Sequence, residues 1–292
     1  MNNNTIDAST VIITTLDGKY VLQQRDNSSA IEFPGFNALI SGYIHEKETP
    51  LEAIIREIKE ELTNHKTGGL RFSAPTYLGS VKRYDYPRYD YIHHAFLYEP
   101  EDEITLLEGK GVLFCSIEEC LQMQNIAPHH KTYLQRYAEK IASISPPEIL
   151  STPAFKLSDL VHTYTLHNGK NLEKLENGLG FYDGVGDSLT ELLHIEDDIV
   201  FAGYLQFHPN TPRGNHFHLR KVEYMAILDG ELRSELRLYN NESIKMNVEW
   251  KRGQVMRLLP GAIHTLTAIG GKSVTALEFS PQQFTASDVY KL

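Results

Sequence analysis

Three prolines fall within the nine residues from Ser145 to Pro153. Such a stretch cannot continue a helix and favours extended backbone. The patterning differs on its two sides. Before it, β-branched runs such as Val11–Thr15 and Tyr20–Gln24, split by the hairpin dipeptide Asp17-Gly18, alternate with helical periodicities at Ile117–Met123 and His129–Ile144. Two further strands joined by a turn are expected within Tyr77–Tyr98. After it, short β-rich runs are separated by turn signals at Asp229-Gly230, Asn240-Asn241, Pro260-Gly261 and Gly270-Gly271. That spacing belongs to a sandwich or barrel. The chain of 292 residues is about twice the length of a typical domain of ~150. The pattern therefore predicts an α+β protein of two domains, residues 1–144 and 155–292, joined by a linker at 145–154.

A net charge of −10 argues against a nucleic-acid partner, because phosphate backbones are held by clustered Lys and Arg. No apolar run approaches the ~18 residues of a membrane span. The opening Met-Asn-Asn-Asn-Thr has no secretory character, so a cytoplasmic protein with no membrane partner is expected. The only two cysteines, Cys115 and Cys120, make no disulfide framework and read as reduced thiols.

Thr49-Pro50-Leu51-Glu52 carries three helix-start signals: a capping hydroxyl, proline at the first helical position and a capping-box glutamate. Leu51, Ile54, Ile55, Ile58 and Leu62 follow as an apolar stripe. Glu57, Glu60 and Glu61 fall at i, i+3 and i+4, so the three carboxylates share an adjacent stripe. Like charges so placed repel unless a cation lies between them. Hard divalent ions prefer such oxygen ligands.

Gly42-x5-Glu48-x7-Arg56-Glu57-Ile58-x-Glu60-Glu61 resembles the box of the Nudix hydrolases. The resemblance implies an α/β/α sandwich that splits nucleoside-diphosphate derivatives with Mg²⁺ or Mn²⁺. By position, Glu57, Glu60 and Glu61 would hold metal with the Gly42 carbonyl, Arg56 would orient a glutamate, and Glu48 would support the loop. Thr63 stands where the family has a helix-ending glycine. Asn64 is expected to supply the left-handed residue instead. Arg83, Tyr84, Tyr86, Arg88 and Tyr89 are candidates to stack on a base or hold a phosphate, Arg83 and Arg88 foremost, although tyrosines on strands mostly pack.

In the second half, His216 and His218 sit two apart in a β-rich run, so their side chains share a strand face. Glu223 and His264 are positioned to join them. Three imidazoles and one carboxylate suit Zn²⁺, Fe²⁺, Ni²⁺, Mn²⁺ or Cu²⁺, and sequence does not choose among these. His162, His167 and His194 read as ordinary packing residues. His216-x-His218-x4-Glu223-x6-Gly230 and Gly253-x7-Gly261-x2-His264 resemble the two cupin motifs, which implies an all-β double-stranded β-helix, a jelly roll. Asn210 replaces the family's first glycine, its proline is displaced to Pro260, and Ala268 replaces the closing asparagine. Pro212-Arg-Gly-Asn-His-Phe-His218, the run from Asp183 to Leu192, and Phe284-x3-Asp288-x-Tyr290 are similar to the cupins that isomerise or epimerise nucleotide-linked keto-sugars. In such enzymes a base removes the proton alpha to a carbonyl. The resemblance then makes His216, His218 and Tyr224 candidates for proton transfer, and Arg213 and Lys221 candidates for gripping a diphosphate.

Taken together, these features predict a bifunctional enzyme of nucleotide sugars: a diphosphate hydrolase joined to a keto-sugar isomerase or epimerase, homodimeric through the barrel. Two alternatives remain open. The barrel would be a sensing or dimerising module beside an active hydrolase, or an oxygenase beside an inactive Nudix fold.

Overall fold

The computed structural model describes residues 6–83, 88–146, 157–165 and 199–292. The chain divides into two compact units, Met1–Ala154 and Phe155–Leu292. Most of the expected linker, together with Tyr84, Tyr86, His167, His194 and the run from Asp183 to Leu192, lies outside the described residues, as does the His162 side chain.

The first unit runs β1 (Ala8–Thr15), β2 (Tyr20–Gln24), β3 (Asn37–Ala38), β4 (Ile40–Tyr43), α1 (Pro50–Glu61), β5 (Leu62–Asn64), β6 (Thr76–Lys82), β7 (Tyr89–Leu97), β8 (Ile104–Leu106), β9 (Gly111–Cys115), α2 (Ile117–Gln122) and α3 (Pro128–Ala142). The main sheet has the order β3-β2-β1-β7-β6, with β4 also on β1 and β9 on β2. β1 is central, buried along its whole length, and pairs in parallel with β7. Both of its faces are covered, which is why it reads as a nearly continuous apolar run rather than an alternation. On one face Ile12, Leu22, Leu39, Leu78 and Ile92 pack against Tyr133, Leu134, Tyr137 and Ile141 of α3. Val11 and Ile13 point to the other face, where α1 lies with Leu51, Ala53, Ile54 and Ile58 buried. The result is the α/β/α sandwich. Cys115 and Cys120 are free and buried, and burial pushes the Cys120 thiol up to about 12.

Helix α1 begins as its sequence dictates. Thr49 accepts from Glu52 N at 3.2 Å, and the Glu52 carboxylate accepts from Thr49 N at 2.9 Å. Its end differs from expectation. Leu62 caps the helix in extended conformation, with φ −122°, and the chain passes directly into β5, so Asn64 is not left-handed. Asn64 is fully buried. It donates to Glu99 and Glu103 at 3.0 and 2.8 Å and accepts from Lys66 N at 2.9 Å. Strand pairing of β5 with β8 overrides the local cap preference.

The second unit, described from residue 157 with gaps, holds α4 (Leu157–Leu160), β10 (Val161–Thr165), β11 (Phe201–Phe207), β12 (Arg213–Phe217), β13 (Glu223–Asp229), β14 (Glu231–Leu238), β15 (Asn241–Lys251), β16 (Gln254–Leu258), β17 (Ala262–Ala268), β18 (Val274–Ser280) and β19 (Tyr290–Lys291). Two five-stranded antiparallel sheets, β10-β16-β13-β18-β11 and β15-β14-β17-β12-β19, make this unit all-β, of the jelly-roll kind. Strict alternation on β14 buries Leu232, Ser234, Leu236 and Leu238. Trp250 is fully buried and donates its indole N–H to Ser234 Oγ at 2.7 Å, so its polar atom is satisfied inside the core.

Two adjacent histidines of β7 make the first unit acid-sensitive. His93 and His94 are buried, beside Ser9 and Thr14 at 3.3 and 2.8 Å. Burial holds both pKa values down at about 4. Unfolded histidine titrates near ~6.5, so as pH falls the unfolded chain takes up protons first. Their stabilising contribution is complete above the unfolded value and is lost as pH falls toward 4, on the order of 3 kcal/mol each. Thermal melting followed by circular dichroism is expected to be flat above neutrality and to fall across this window. The double variant His93→Gln/His94→Gln would show a shallower fall.

Candidate metal and substrate sites

In the first unit, α1 and β4 bring the acidic cluster together around one guanidinium. Arg56 donates to Glu48 through Nε at 2.9 Å and Nη2 at 3.0 Å, to Glu57 at 2.5 Å, to Glu60 at 3.1 Å and to the Tyr43 carbonyl at 2.9 Å. The hydrogen bonds that Arg56 donates to Glu48, then those to Glu57 and Glu60, raise its pKa. Burial opposes ionisation of Glu48, but Arg56 and the His45 N–H outweigh it and lower its pKa. Gly42 lies against Glu57 so closely that an added Cβ would sit 1.8 Å from Glu57 Oε1. Only glycine permits that approach.

Glu61 is the uncompensated member of this cluster. Its Oε2 is buried without a hydrogen-bond partner. Burial, then the charges of Glu108 and Glu57, push its pKa up to about 7. Glu108 was not singled out from sequence. It is brought close by the loop after β8, where Leu107 N donates to the Glu61 carbonyl at 2.8 Å. Glu57 and Glu60 are paired with Arg56, and the orphaned Glu61 oxygen near them is of the kind a divalent cation takes.

Beside Gly42 opens a cavity of about 230 Å³, lined by Ser41, Tyr43, Arg25, Glu32, Phe33, Arg88 and His129 among others. Arg88 reaches Asp90 at 2.9 Å and lies 5.3 Å from the Tyr43 ring centre. Arg83 is buried behind this wall, 2.8 Å from Glu32 and 3.9 Å from Asp90. Tyr133 donates to Asp90 at 2.6 Å. Of the substrate-binding candidates here, Arg88 lines the cavity and Arg83 supports it. Tyr89 opens β7, and its N–H donates to Asp7 Oδ1, just before β1, at 3.0 Å. Arg25, Glu32, Phe33 and His129 were missed, because they come from separate loops and helix starts with no shared spacing.

In the second unit His216, His218, Glu223 and His264 converge, with one potential ligand atom from each within 4.8 Å of all the others. A strand slip makes this possible. On β12, Gly214 pairs with Thr265 and His216 pairs with His264, leaving Asn215 as an extra residue. The bulge turns His216 to the face of His264. It uses left-handed backbone at Gly214 (φ 104°) and Asn215 (φ 54°), and a Cβ at Gly214 would lie 2.6 Å from the His264 carbonyl oxygen. Asn210, which replaces the family's glycine, is also left-handed at φ 58°, a conformation asparagine tolerates.

The imidazoles are oriented from behind. His218 Nδ1 lies 2.7 Å from the Asp288 carbonyl and His264 Nδ1 lies 3.1 Å from the Ala262 carbonyl. A carbonyl only accepts, so Nδ1 carries the proton and Nε2 presents a lone pair. The His218 and His264 Nε2 atoms are 3.3 and 3.8 Å from Glu223 Oε2. Burial, then His264 and His218, lowers His216 to about 4, and burial lowers His264. Burial opposes ionisation of Glu223, but His264, His218 and Lys221 outweigh it and lower its pKa. Two imidazoles with Nε2 turned inward beside a carboxylate whose ionised form is favoured make a donor set suited to a transition metal.

Tyr224 and Lys221 do not sit as expected. Tyr224 alternates with Glu223 on β13 and stacks on Phe279, centroids 5.3 Å apart, so it faces away from the histidines. Lys221 is buried. Its ammonium pairs with Glu278 and lies 3.8 Å from Glu223, committed to the interior rather than to a diphosphate. Arg213 is exposed, its guanidinium 5.7 Å from the Phe207 ring centre. Glu278, which no motif marked, shares the inner face with Glu223 through its pairing with Met225.

Residues 5–137 match the NUDIX domain family. The N-terminal unit is a Nudix domain. Residues 183–290 match the polysaccharide biosynthesis C-terminal domain. No curated protein matches the chain. Among solved structures, the MutT protein of Methanosarcina mazei Go1 is 16% identical with a TM-score of 0.39, over 48% of this chain and 98% of that one. The capsular polysaccharide assembling protein CapF of Staphylococcus aureus is 19% identical with a TM-score of 0.31, over 33% of this chain and 29% of that one. QdtA, a sugar 3,4-ketoisomerase of Thermoanaerobacterium thermosaccharolyticum solved with TDP, is 14% identical with a TM-score of 0.29, over 32% and 68%. Among the described residues no helix is long and apolar enough to cross a membrane.

The contact at Gly42 yields a direct test of the Nudix cluster. Gly42→Ala is expected to displace Glu57 and lower Mn²⁺ affinity by ~10-fold or more, with far-ultraviolet circular dichroism unchanged. Titration of free Mn²⁺ by electron paramagnetic resonance measures it, and unaltered affinity would remove Glu57 from the ligand set.

Proposed function

We propose that the chain is a bifunctional enzyme of nucleotide sugars. Its Nudix domain would hydrolyse a nucleoside-diphosphate derivative, and its barrel would isomerise or epimerise a nucleotide-linked keto-sugar. The observation that carries this reading is the carboxylate cluster around Arg56, set over Gly42 and opening on a cavity lined by Arg25 and Arg88. When bound by Glu57, Glu60, Glu61 and the Gly42 carbonyl, Mg²⁺ or Mn²⁺ would polarise a phosphoryl oxygen and make water a better nucleophile. Arg56 aligns Glu57 and Glu60, and Glu48 anchors Arg56 to the loop before α1. Arg25 and Arg88 offer cationic contacts to the substrate, and the rings of Phe33 and Tyr43 offer it apolar surface.

In the barrel, a transition metal held by His216, His218, Glu223 and His264 would polarise a substrate carbonyl, which acidifies the neighbouring C–H. The Lys221–Glu278 pair stands on the same inner face. Proton transfer alpha to a carbonyl needs such a group within reach, so Glu278, which is not one of the four ligands, is the candidate for it in place of Tyr224. The match to a polysaccharide biosynthesis domain supports a sugar substrate for this half.

Two substitutions separate the halves. Glu60→Gln is expected to lower Mg²⁺-dependent nucleotide release from a panel of nucleotide sugars by about 100-fold or more, the scale of a lost charge-stabilising group. His218→Ala should leave that rate intact while abolishing both transition-metal content and exchange of solvent deuterium into keto-sugars. No nucleotide release and no exchange in the unaltered protein would exclude the proposal.

A further inference from the structure

The loop that joins the two ends of the barrel's donor set is held from outside the motifs. His218 ends the run after β12 and Glu223 opens β13, so the residues between them set how far apart these two ligands stand. Every backbone N–H from residue 219 to residue 222 is tied to a side chain from the 280s. Asp288 Oδ1 accepts from Leu219 N at 3.0 Å and Arg220 N at 3.2 Å, and its Oδ2 accepts from Lys221 N at 2.9 Å. Gln282 Oε1 accepts from Val222 N at 2.8 Å. The carbonyl of Asp288 is also the group that holds His218 Nδ1. The segment continues as β19, which pairs Lys291 with His216 and Tyr290 with Phe217. Asn215, the bulge residue, donates to the Leu292 carbonyl at 2.8 Å and accepts from Leu292 N at 3.1 Å.

We propose that Asp288 is a positioning residue for the metal centre, acting through its backbone and side chain together. Its carbonyl sets the His218 tautomer, and its carboxylate fixes the loop that spaces His218 from Glu223. A loop of consecutive N–H groups around one carboxylate is a rigid arrangement, because each bond is assisted by the acceptor's charge. The remainder of segment 286–292 orients His216 through the bulge. The ligand geometry is thus decided by residues far along the chain from the motif that supplies three of the four ligands. This inference rests on the reading of His216, His218, Glu223 and His264 as metal ligands.

The test uses the full chain, freed of metal by chelation and titrated with Co²⁺, whose ligand-field absorption reports coordination geometry. Asp288→Ala keeps the carbonyl and removes the carboxylate that fixes the loop; loss of a group that orients metal ligands from behind weakens binding by about 10–100-fold. Asp288→Ala is expected to show a loss of that size and an altered spectrum, while the fluorescence of Trp250, the only tryptophan, stays native. Asp288→Asn keeps one acceptor oxygen and should fall between the two; it decides the matter if Asp288→Ala does not fold. A purely structural role would lower the melting temperature of both variants and leave Co²⁺ affinity and spectrum unchanged, and that result would overturn the proposal. If the unaltered chain binds no Co²⁺, the ligand reading itself fails and the proposal with it.

Discussion

Groups that repel one another, or that lose hydration on burial, are gathered at both sites, and the surrounding structure is shaped by the need to compensate them. In the Nudix domain the compensation is one guanidinium. Arg56 bridges Glu48, Glu57 and Glu60 and reaches the Tyr43 carbonyl. It thereby fastens α1 to β4 and to the loop between them. Glu61 lies beyond its reach and keeps an orphaned oxygen. A divalent cation would supply the positive charge that Glu61 lacks.

In the barrel the compensation is divided. Glu223 faces the imidazoles on one side and Lys221 on the other, and Lys221 is shared with Glu278. Backbone carbonyls set the tautomers of His218 and His264 from behind. A metal entering such a site would meet a carboxylate whose ionised form is favoured. The two halves thus share one physical device, clustered polar groups oriented by partners behind them, built by a helix in one and by a bulged strand in the other.

Much of this was legible in the chain itself, because the signals are local. The start of α1 follows from Thr49, Pro50 and Glu52, whose mutual hydrogen bonds need only neighbouring residues. The hairpin at Asp17-Gly18 and the helices at Ile117 and Pro128 are likewise local. The end of α1 was not legible, since pairing of Leu62–Asn64 with Ile104–Leu106 outweighs a cap preference. Tyr224 was a candidate only through the resemblance, and alternation on β13 sends it to Phe279.

The sequence alone determined the residue types of both donor sets and their arrival on one helix face or one barrel, because periodicity of 3.6 or 2 settles which neighbours share a side. Tertiary structure decided everything that joins distant segments: the cavity beside Gly42, the proximity of Glu108 to Glu61, the inward place of Glu278, and the hold of Asp288 on the loop between His218 and Glu223. Those contacts arise from strand order and register, and a bulge of one residue at Asn215 is enough to turn a ligand from one face to the other.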